Sequence, residues 1–279
     1  MENGKLYVVP TPIGNLSDIT YRAVEILKKV SLIACEDTRT SGKLLQHYEI
    51  KNKLLSYHKF NEKSRVQQLI EFLKTGKQIA LITDAGTPGI SDPAALIVTN
   101  AIRENLAVEV LPGATALIPA LIGSGFSADR FSFFGFLPEK SLECDNLLSR
   151  IAEEEATLIF YEAPHRLLQT LNLLLEKFGN RRIVIARELS KLYETWYRSD
   201  LLTLVQKPEL IKMKGEFVLV IEGKKNILID ESELIGMIKA KLDQNISTRD
   251  LAMGISLQSG YSKSHIYDLI LKLKNGENI

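Results

Sequence analysis

Residues 79–93 read IALITDAGTPGISDP. An apolar run stops at Thr83 and Asp84, and Gly86, Pro88, Gly89, Asp92 and Pro93 follow. A strand that ends in such a loop presents backbone polar groups and carboxylates, with no lysine or arginine among them. Glycine there permits conformations and close approaches that a side chain forbids. The chemistry this favours is capture of a ligand with a cationic part and hydroxyls, with Asp84 accepting its hydrogen bonds. The competing use of both acids is local: Asp84 and Asp92 can cap turns or the following helix, and Asp92 suits that role better.

The neighbouring loops narrow the ligand further. GSGFSA at 123–128 has the glycine spacing of a dinucleotide fingerprint, but a helix precedes it and a strand follows, the wrong context for that fold. The first loop, VVPTPIGNLSD, has Gly14 as its one glycine, and no GxxxxGK[ST] occurs. Both standard phosphate cradles are therefore missing. S-adenosylmethionine has the required make-up: a sulfonium, an amino group, a ribose and an adenine, without phosphate.

These loops need elements to hold them. Strand-like runs at 6–10, 32–35, 54–58, 79–84 and 108–112 alternate with helical spacings at 19–30, 65–74 and 93–104, and a short helix is expected in SGKLLQHY. That pattern predicts an α/β unit over residues 1–112, with a parallel sheet covered on both faces. Beyond a glycine turn and a helix in GATALIPALIGSGF, strands at 130–137, 157–162, 182–190, 194–198 and 216–223 crowd together, with helices near 140–155 and 164–178. ARELSKLYETWYR reads as a hairpin. Residues 113–223 are thus expected to form a second α/β domain with a mixed or antiparallel sheet, completing a cleft against the first.

Residues 226–279 read as a small helical domain. STRDLAMGISLQSGYSKSHIYDLILKLK has the spacing of a helix-turn-helix, with Ser247 or Thr248 capping one helix, Gly260 in the turn and Ser262 capping the next. A plain helical cap with its own core fits the same residues.

The whole chain has 279 residues, 35 basic against 34 acidic, and a net charge of +1, so any nucleic-acid surface must be a local patch. Two distant cysteines, Cys35 and Cys144, point to neither a disulfide framework nor a zinc site, and no metal is expected. No signal peptide and no long apolar run are visible, which leads to an expected cytoplasmic location.

Eight motifs, in order, are VPTPIGNLSDIT (9–20), ACEDTRTSGKLL (34–45), LITDAGTPGISDP (81–93), VLPGATA (110–116), FFGFLP (133–138), FYEAPHR (160–166), ARELSKLYE (186–194) and GEFVLVIEG (215–223). Through them the chain resembles, over nearly its full length, the tetrapyrrole methylase superfamily, and within it the branch that modifies small-subunit ribosomal RNA. The resemblance implies S-adenosylmethionine as methyl donor, two α/β domains around it and a homodimer. It also implies methylation of the ribose 2′-oxygen of a cytidine in the decoding region of 16S rRNA. By matching motif, the implied cofactor positions are Pro10, Asp84, Ala85, Gly86, Thr87, Pro88, Ala114, Thr115, Phe160 and Tyr161. A methylase acting on a tetrapyrrole itself and a non-catalytic RNA-binding module are the alternatives.

Such a transfer needs alignment above all, because the sulfonium is already activated. A base beside the 2′-hydroxyl adds to the rate. Two clusters are candidates: Glu162 and His165 in FYEAPHR, with Pro164 at the first helical position, and Glu36, Asp37 and Arg39 in CEDTR. Each can equally be a structural ion-pair network. For RNA contact the candidates are Arg166, Arg187, Lys191 and Arg198. Segment 181–225 carries ten basic against six acidic residues, with Tyr193, Trp196 and Tyr197 among them as possible stacking surfaces. A solvated strand edge is the bland counterpart.

Overall fold

The computed structural model describes residues 4–92, 94–225, 230–242, 246–259 (256–258 by backbone only), 261 and 263–274. Residues Met1–Gly223 form one compact unit and Lys224–Ile279 another. In the first unit, β1 (Lys5–Val8), β2 (Leu32–Cys35), β3 (Leu54–Ser56), β4 (Ile79–Ile82) and β5 (Ala107–Val110) pair in the order β3-β2-β4-β1-β5. Every pairing is parallel. Helices α1 (Tyr21–Lys29), α2 (Thr38–His47), α3 (Glu62–Lys74) and α4 (Ala95–Arg103) make the crossovers.

Strand alternation sends successive side chains to opposite faces, so an unbroken apolar run serves two cores. Leu32, Ala34, Ile79 and Leu81 pack with Leu69, Leu73 and Ile97 of α3 and α4. Ile33, Cys35, Ala80 and Ile82 pack with Ala23, Leu27 and Leu45 of α1 and α2. All of them are buried, which is why LIAC and IALI are apolar throughout. Both cysteines are free and buried, and burial pushes the Cys35 thiol up to about 11.

After α5 (Leu117–Ser124) come β6 (Phe131–Phe136), α6 (Ser141–Ile151), β7 (Thr157–Glu162), α7 (Leu167–Phe178), β8 (Arg182–Arg187), β9 (Thr195–Asp200), α8 (Leu201–Gln206) and β10 (Phe217–Ile221). The second sheet has the order β6-β7-β10-β8-β9. It is mixed: β6 runs parallel to β7 and the other pairings are antiparallel. β8 and β9 form the hairpin read from ARELSKLYETWYR. One face packs on α6, α7 and α8 and the other on α5. The short helix α8 was not foreseen. Asp200 caps it by accepting from Thr203 N–H (2.9 Å).

Trp196 shows how tightly α5 sits on this sheet. A Cβ at Gly123 would lie 2.2 Å from the Trp196 ring. Gly123→Ala is therefore expected to displace the ring and cost about 1–3 kcal/mol, as overpacking does. Trp196 is the single tryptophan, so its fluorescence should shift along with the urea midpoint. An unchanged emission maximum and midpoint would contradict this packing.

The second unit holds α9 (Glu231–Leu242), α10 (Thr248–Ser259) and α11 (Lys263–Lys274). Leu234, Ile238, Leu251, Ile255, Ile266 and Ile270 form its core. Ser247 caps α10: its hydroxyl accepts from Asp250 N–H (3.1 Å) and donates to the Asp250 carboxylate (2.6 Å). Gly260 and Ser262 lie outside the described residues, as does Pro93. Among the described residues, no helix is long and apolar enough to cross a membrane.

Candidate active site

The loops that leave β1, β4 and β5 at their carboxyl ends are tied together. Thr11 and Gly86 exchange backbone hydrogen bonds (2.9 and 3.0 Å), and the Thr11 hydroxyl donates to Thr83 O (3.0 Å). Thr87 donates to Ala114 O (2.9 Å). Gly86 and Gly89 take φ of +83° and +94°, the left-handed region that favours glycine. The carboxylate of Asp92 accepts from Gly89 N–H (2.6 Å) and closes this turn, the local role anticipated for it. Ligands of open α/β sheets bind at this end of the strands.

A cleft of about 520 Å³ opens there. The first sheet contributes Ile13, Glu36, Thr83–Thr87 and Asp92, and the second Phe136, Tyr161, Glu162 and Phe217. A β-bulge between Phe133 and Phe136, with Gly135 at φ +63°, turns Phe136 onto the edge of Tyr161 (centroids 5.8 Å). Burial pushes the Tyr161 phenol up, while the Thr115 hydroxyl and the N–H groups of Leu117 and Ala116 at the start of α5 oppose the shift.

Charge in this cleft is one-sided. Glu36, Asp84, Asp92, Glu162 and Glu216 line it, and among the described residues no lysine, arginine or histidine does. Glu162 lies 4.0 Å from Arg166, and Glu216 pairs with Lys191 at 2.8 Å. Among the described residues, Glu36, Asp84 and Asp92 form no ion pair. Asp84 accepts from Asp37 N–H (3.1 Å), and Glu36 accepts from the Thr83 hydroxyl (3.1 Å). Desolvation raises the carboxyl pKa of Asp84, aided by Glu36 and Asp37, and opposed by the Asp37 N–H. Desolvation also raises Asp92, against the Gly89 N–H and the Thr83 hydroxyl. A cation placed here relieves this repulsion; an anion would increase it.

Several expected cofactor positions lie elsewhere. Asp84, Ala85, Gly86, Thr87, Thr115 and Tyr161 line the cleft; Pro10, Pro88, Ala114 and Phe160 do not. Phe160 is fully buried and stacks on Phe134 (5.3 Å), because alternation along β7 sends Tyr161 to the cleft and its neighbour to the opposite face. Pro10 packs so closely that a Cβ at Gly113 would lie 2.5 Å from its ring, so it serves the contact between the β1 and β5 loops. Ala114 serves through its carbonyl, on Thr87. Sequence reasoning missed Phe136, which the bulge delivers, and the Gly215–Val218 segment at the start of β10.

The two acidic clusters are divided by the fold. Glu36 faces the cleft, whereas Asp37 and Arg39 line an adjoining groove. They pair with each other at 2.7 Å, and Asp37 also caps α2 through Arg39 N–H (2.8 Å). The Arg39 side chain holds the Asp37 carboxyl down at about 2. In FYEAPHR the expected helix start at Pro164 is corrected: α7 begins at Leu167, and Arg166 N–H closes a turn onto Ala163 O (3.1 Å). His165 consequently sits exposed on that turn, outside the cleft lining. Glu162 is 2% exposed, and both its oxygens are engaged, by Ala163 N–H (2.7 Å) and the Thr170 hydroxyl (2.5 Å).

A family model described as Tetrapyrrole (Corrin/Porphyrin) Methylases matches residues 5–205. The chain belongs to the tetrapyrrole methylases. Methyltransferases of this family use S-adenosylmethionine. Among similar proteins, one from Synechocystis sp. called ribosomal RNA small subunit methyltransferase I is 44% identical, covering 97% of this chain and 99% of the relative. One of the same name from Bacillus subtilis is 46% identical, over 82% of this chain and 79% of that one. Solved structures share the fold. Uroporphyrin-III-C-methyltransferase from Thermus thermophilus superposes with a TM-score of 0.58 at 19% identity, over 78% of this chain and 94% of that one. Diphthine synthase gives 0.60 at 14%, over 80% and 91%.

Most basic residues singled out for RNA contact in this tetrapyrrole methylase are already engaged. Arg187 is 4% exposed and donates to the carbonyls of Lys214 (2.5 Å) and Tyr193 (3.0 Å), so it is a strut inside the β8–β9 turn. Arg166 donates to the carbonyls of Leu137 (3.1 Å) and Pro138 (3.2 Å). Lys191 pairs with Glu188 and Glu216 (2.9 and 2.8 Å). Arg198 is exposed, bonding Gly123 O (2.7 Å) and covering the Trp196 ring. Trp196 is sandwiched against Gly123, and the Tyr197 hydroxyl accepts from Lys212 N–H (3.1 Å). Of the three aromatic residues, Tyr193 alone stays largely open, at 65% exposure.

Proposed function

We propose that the chain transfers a methyl group from S-adenosylmethionine to the ribose 2′-oxygen of a cytidine in the decoding region of 16S rRNA. The observation that carries this reading is the cleft at the carboxyl ends of β1 and β4: it is lined with carboxylates and, among the described residues, with no basic side chain. It fits a sulfonium and an amino group and disfavours phosphate. The ribosomal substrate is taken from relatives at 44–47% identity, whereas the structures of tetrapyrrole enzymes resemble this chain at 19% or less. That difference favours RNA over a macrocycle. A ribosomal substrate places the reaction in the cytoplasm, and the family resemblance implies a homodimer.

In this reading Asp84 and the 84–87 backbone hold the donor, with Thr115 and Tyr161 closing the far wall. The ribose oxygen attacks the sulfonium methyl; the C–S bond breaks, a neutral thioether departs and the hydroxyl proton passes to a base. Glu36 is the group we assign to that role. It stands in the cleft, one oxygen is fixed by Thr83, and the other has no hydrogen-bond partner among the described residues. Glu162, with both oxygens bonded, holds the β7–α7 corner instead.

The test is transfer of an isotopically labelled methyl group to unmodified small subunits and free 16S rRNA, followed by mapping of 2′-O-methylation. One modified cytidine is expected. Labelling of a porphyrinogen in place of RNA would move the protein to the tetrapyrrole branch.

Donor binding should depend on Asp84. Asp84→Ala is expected to weaken S-adenosylmethionine by roughly 10- to 100-fold, the loss typical of a charged hydrogen bond. Because the Asp84 and Asp92 carboxyls are raised, they take up protons at higher pH than ordinary carboxylates. Affinity for the sulfonium should therefore fall on acidification earlier than for an unperturbed acid, while the neutral product loses less. The same shifts make the folded chain bind more protons than the unfolded one, so these two groups cost stability at neutral pH and cost less in acid. Calorimetry across pH checks both; equal pH dependence for donor and product would count against the carboxylates.

A further inference from the structure

A second groove of about 460 Å³ adjoins the cleft. Its lining includes Glu36 and Asp84, which also line the cleft, and it runs out past Arg39 and His58 to Lys59 and Phe60. Lys59 also lines a neighbouring groove with Arg103, and that groove returns to Glu36. Basic groups and an exposed aromatic thus flank a cleft that, among the described residues, has no basic side chain of its own.

Phe60 is 94% exposed, with its edge near the His58 ring (centroids 6.0 Å). Arg39 is 87% exposed at its side chain. Its pair with Asp37 is bidentate but solvent-exposed, so water and salt screen it and an incoming phosphate can compete for the guanidinium. Asp37 would keep the Arg39 N–H bond if the guanidinium turned to an incoming anion. The volume lies in the range of small-ligand sites, about 300–1,000 Å³. An exposed aromatic beside separated cations is the arrangement that binds single-stranded nucleic acid, where bases stack and phosphates meet lysine or arginine.

We propose that this groove seats the RNA: Phe60 stacks on a base next to the target nucleotide, Lys59 and Arg39 meet flanking phosphates, and the target ribose is delivered to Glu36. This rests on the ribosomal RNA reading and adds to it where the substrate lies. It moves substrate contact from the basic residues of 181–225 to the first turn of α2 and the loop between β3 and α3.

The test uses the full-length chain and a short single-stranded oligoribonucleotide of decoding-region sequence, with fluorescence anisotropy as readout. Phe60→Ala is expected to weaken binding roughly 5- to 100-fold, the loss that removal of a stacking side chain brings. Phe60→Trp should restore it. Lys59→Ala and Arg39→Ala should each flatten the salt dependence by about 0.7 in log–log slope, the value for one phosphate on a single strand. Tyr193→Ala, at the exposed hairpin, should bind as wild type. Calorimetry should find donor affinity intact in Phe60→Ala, which also shows that the variant folds. Wild-type RNA affinity in Phe60→Ala, or the loss appearing in Tyr193→Ala instead, overturns the proposal and leaves the ribosomal reading standing if wild type still methylates subunits. A wild-type chain that methylates no RNA removes both.

Discussion

Glu36→Gln is expected to lower single-turnover methyl transfer by roughly 10²–10⁴-fold, the contribution of a positioned general base. Glutamine keeps an oxygen for the Thr83 hydroxyl, which donates at 3.1 Å in the native chain, so the side chain stays in place while its basicity is lost. Donor affinity should change little. His165→Ala, by contrast, should transfer at close to the native rate, because His165 lies outside the cleft lining. If Glu36→Gln retains the native rate with RNA saturating, proton removal by this carboxylate is excluded, and alignment alone must account for catalysis.

The second large effect is on stability. Glu162→Ala should cost about 2–4 kcal/mol, in line with the removal of one member of a buried, hydrogen-bonded pair. The side chain is 1% exposed and accepts from Ala163 N–H and from the Thr170 hydroxyl, with Arg166 at 4.0 Å. Its loss strands Thr170, which is 2% exposed, and takes the counter-charge from Arg166. The figure sits below the upper range for such pairs because the Arg166 side chain retains 22% exposure. Glu162→Gln should recover part of the loss. The readout is the urea midpoint at unchanged slope. Full stability combined with lost turnover would return Glu162 to the chemistry.

The strands were legible because each sheet uses short apolar runs: the run expected at 157–162 coincides with β7, and the one expected at 216–223 contains the shorter β10, Phe217–Ile221. What the runs do not disclose is which face each residue takes. In a mostly apolar strand, alternation has few polar markers, so nothing local sorted Phe160 from Tyr161 once the family resemblance had offered both as cofactor positions. Helix starts were obscure for a different reason. Pro164 suits a first helical position, but the Ala163–Arg166 turn displaces the start to Leu167. Basic residues misled most. A count of charges in 181–225 says nothing of partners, and Arg187 and Lys191 are consumed by carbonyls and carboxylates that fold brings near. The acidic loop at 84–92 was readable because glycine at positive φ and the absent phosphate cradles are both local properties.

The order of strands also bears on synthesis. β10, the last strand of the first unit, lies between β7 and β8, so the middle of the second sheet is the last part of that sheet to leave the ribosome. Until Phe217–Ile221 emerges, β7 and β8 have no common neighbour, and each leaves an apolar edge unpaired. β1 waits in the same way, since its partners β4 and β5 are made about 70 to 100 residues later. At about 5–20 residues per second, that wait lasts several seconds. A nascent chain broken off after β8 but short of β10 thus carries a pair of open edges with affinity for other strands, and the need for a chaperone falls on the interval before the last strand arrives.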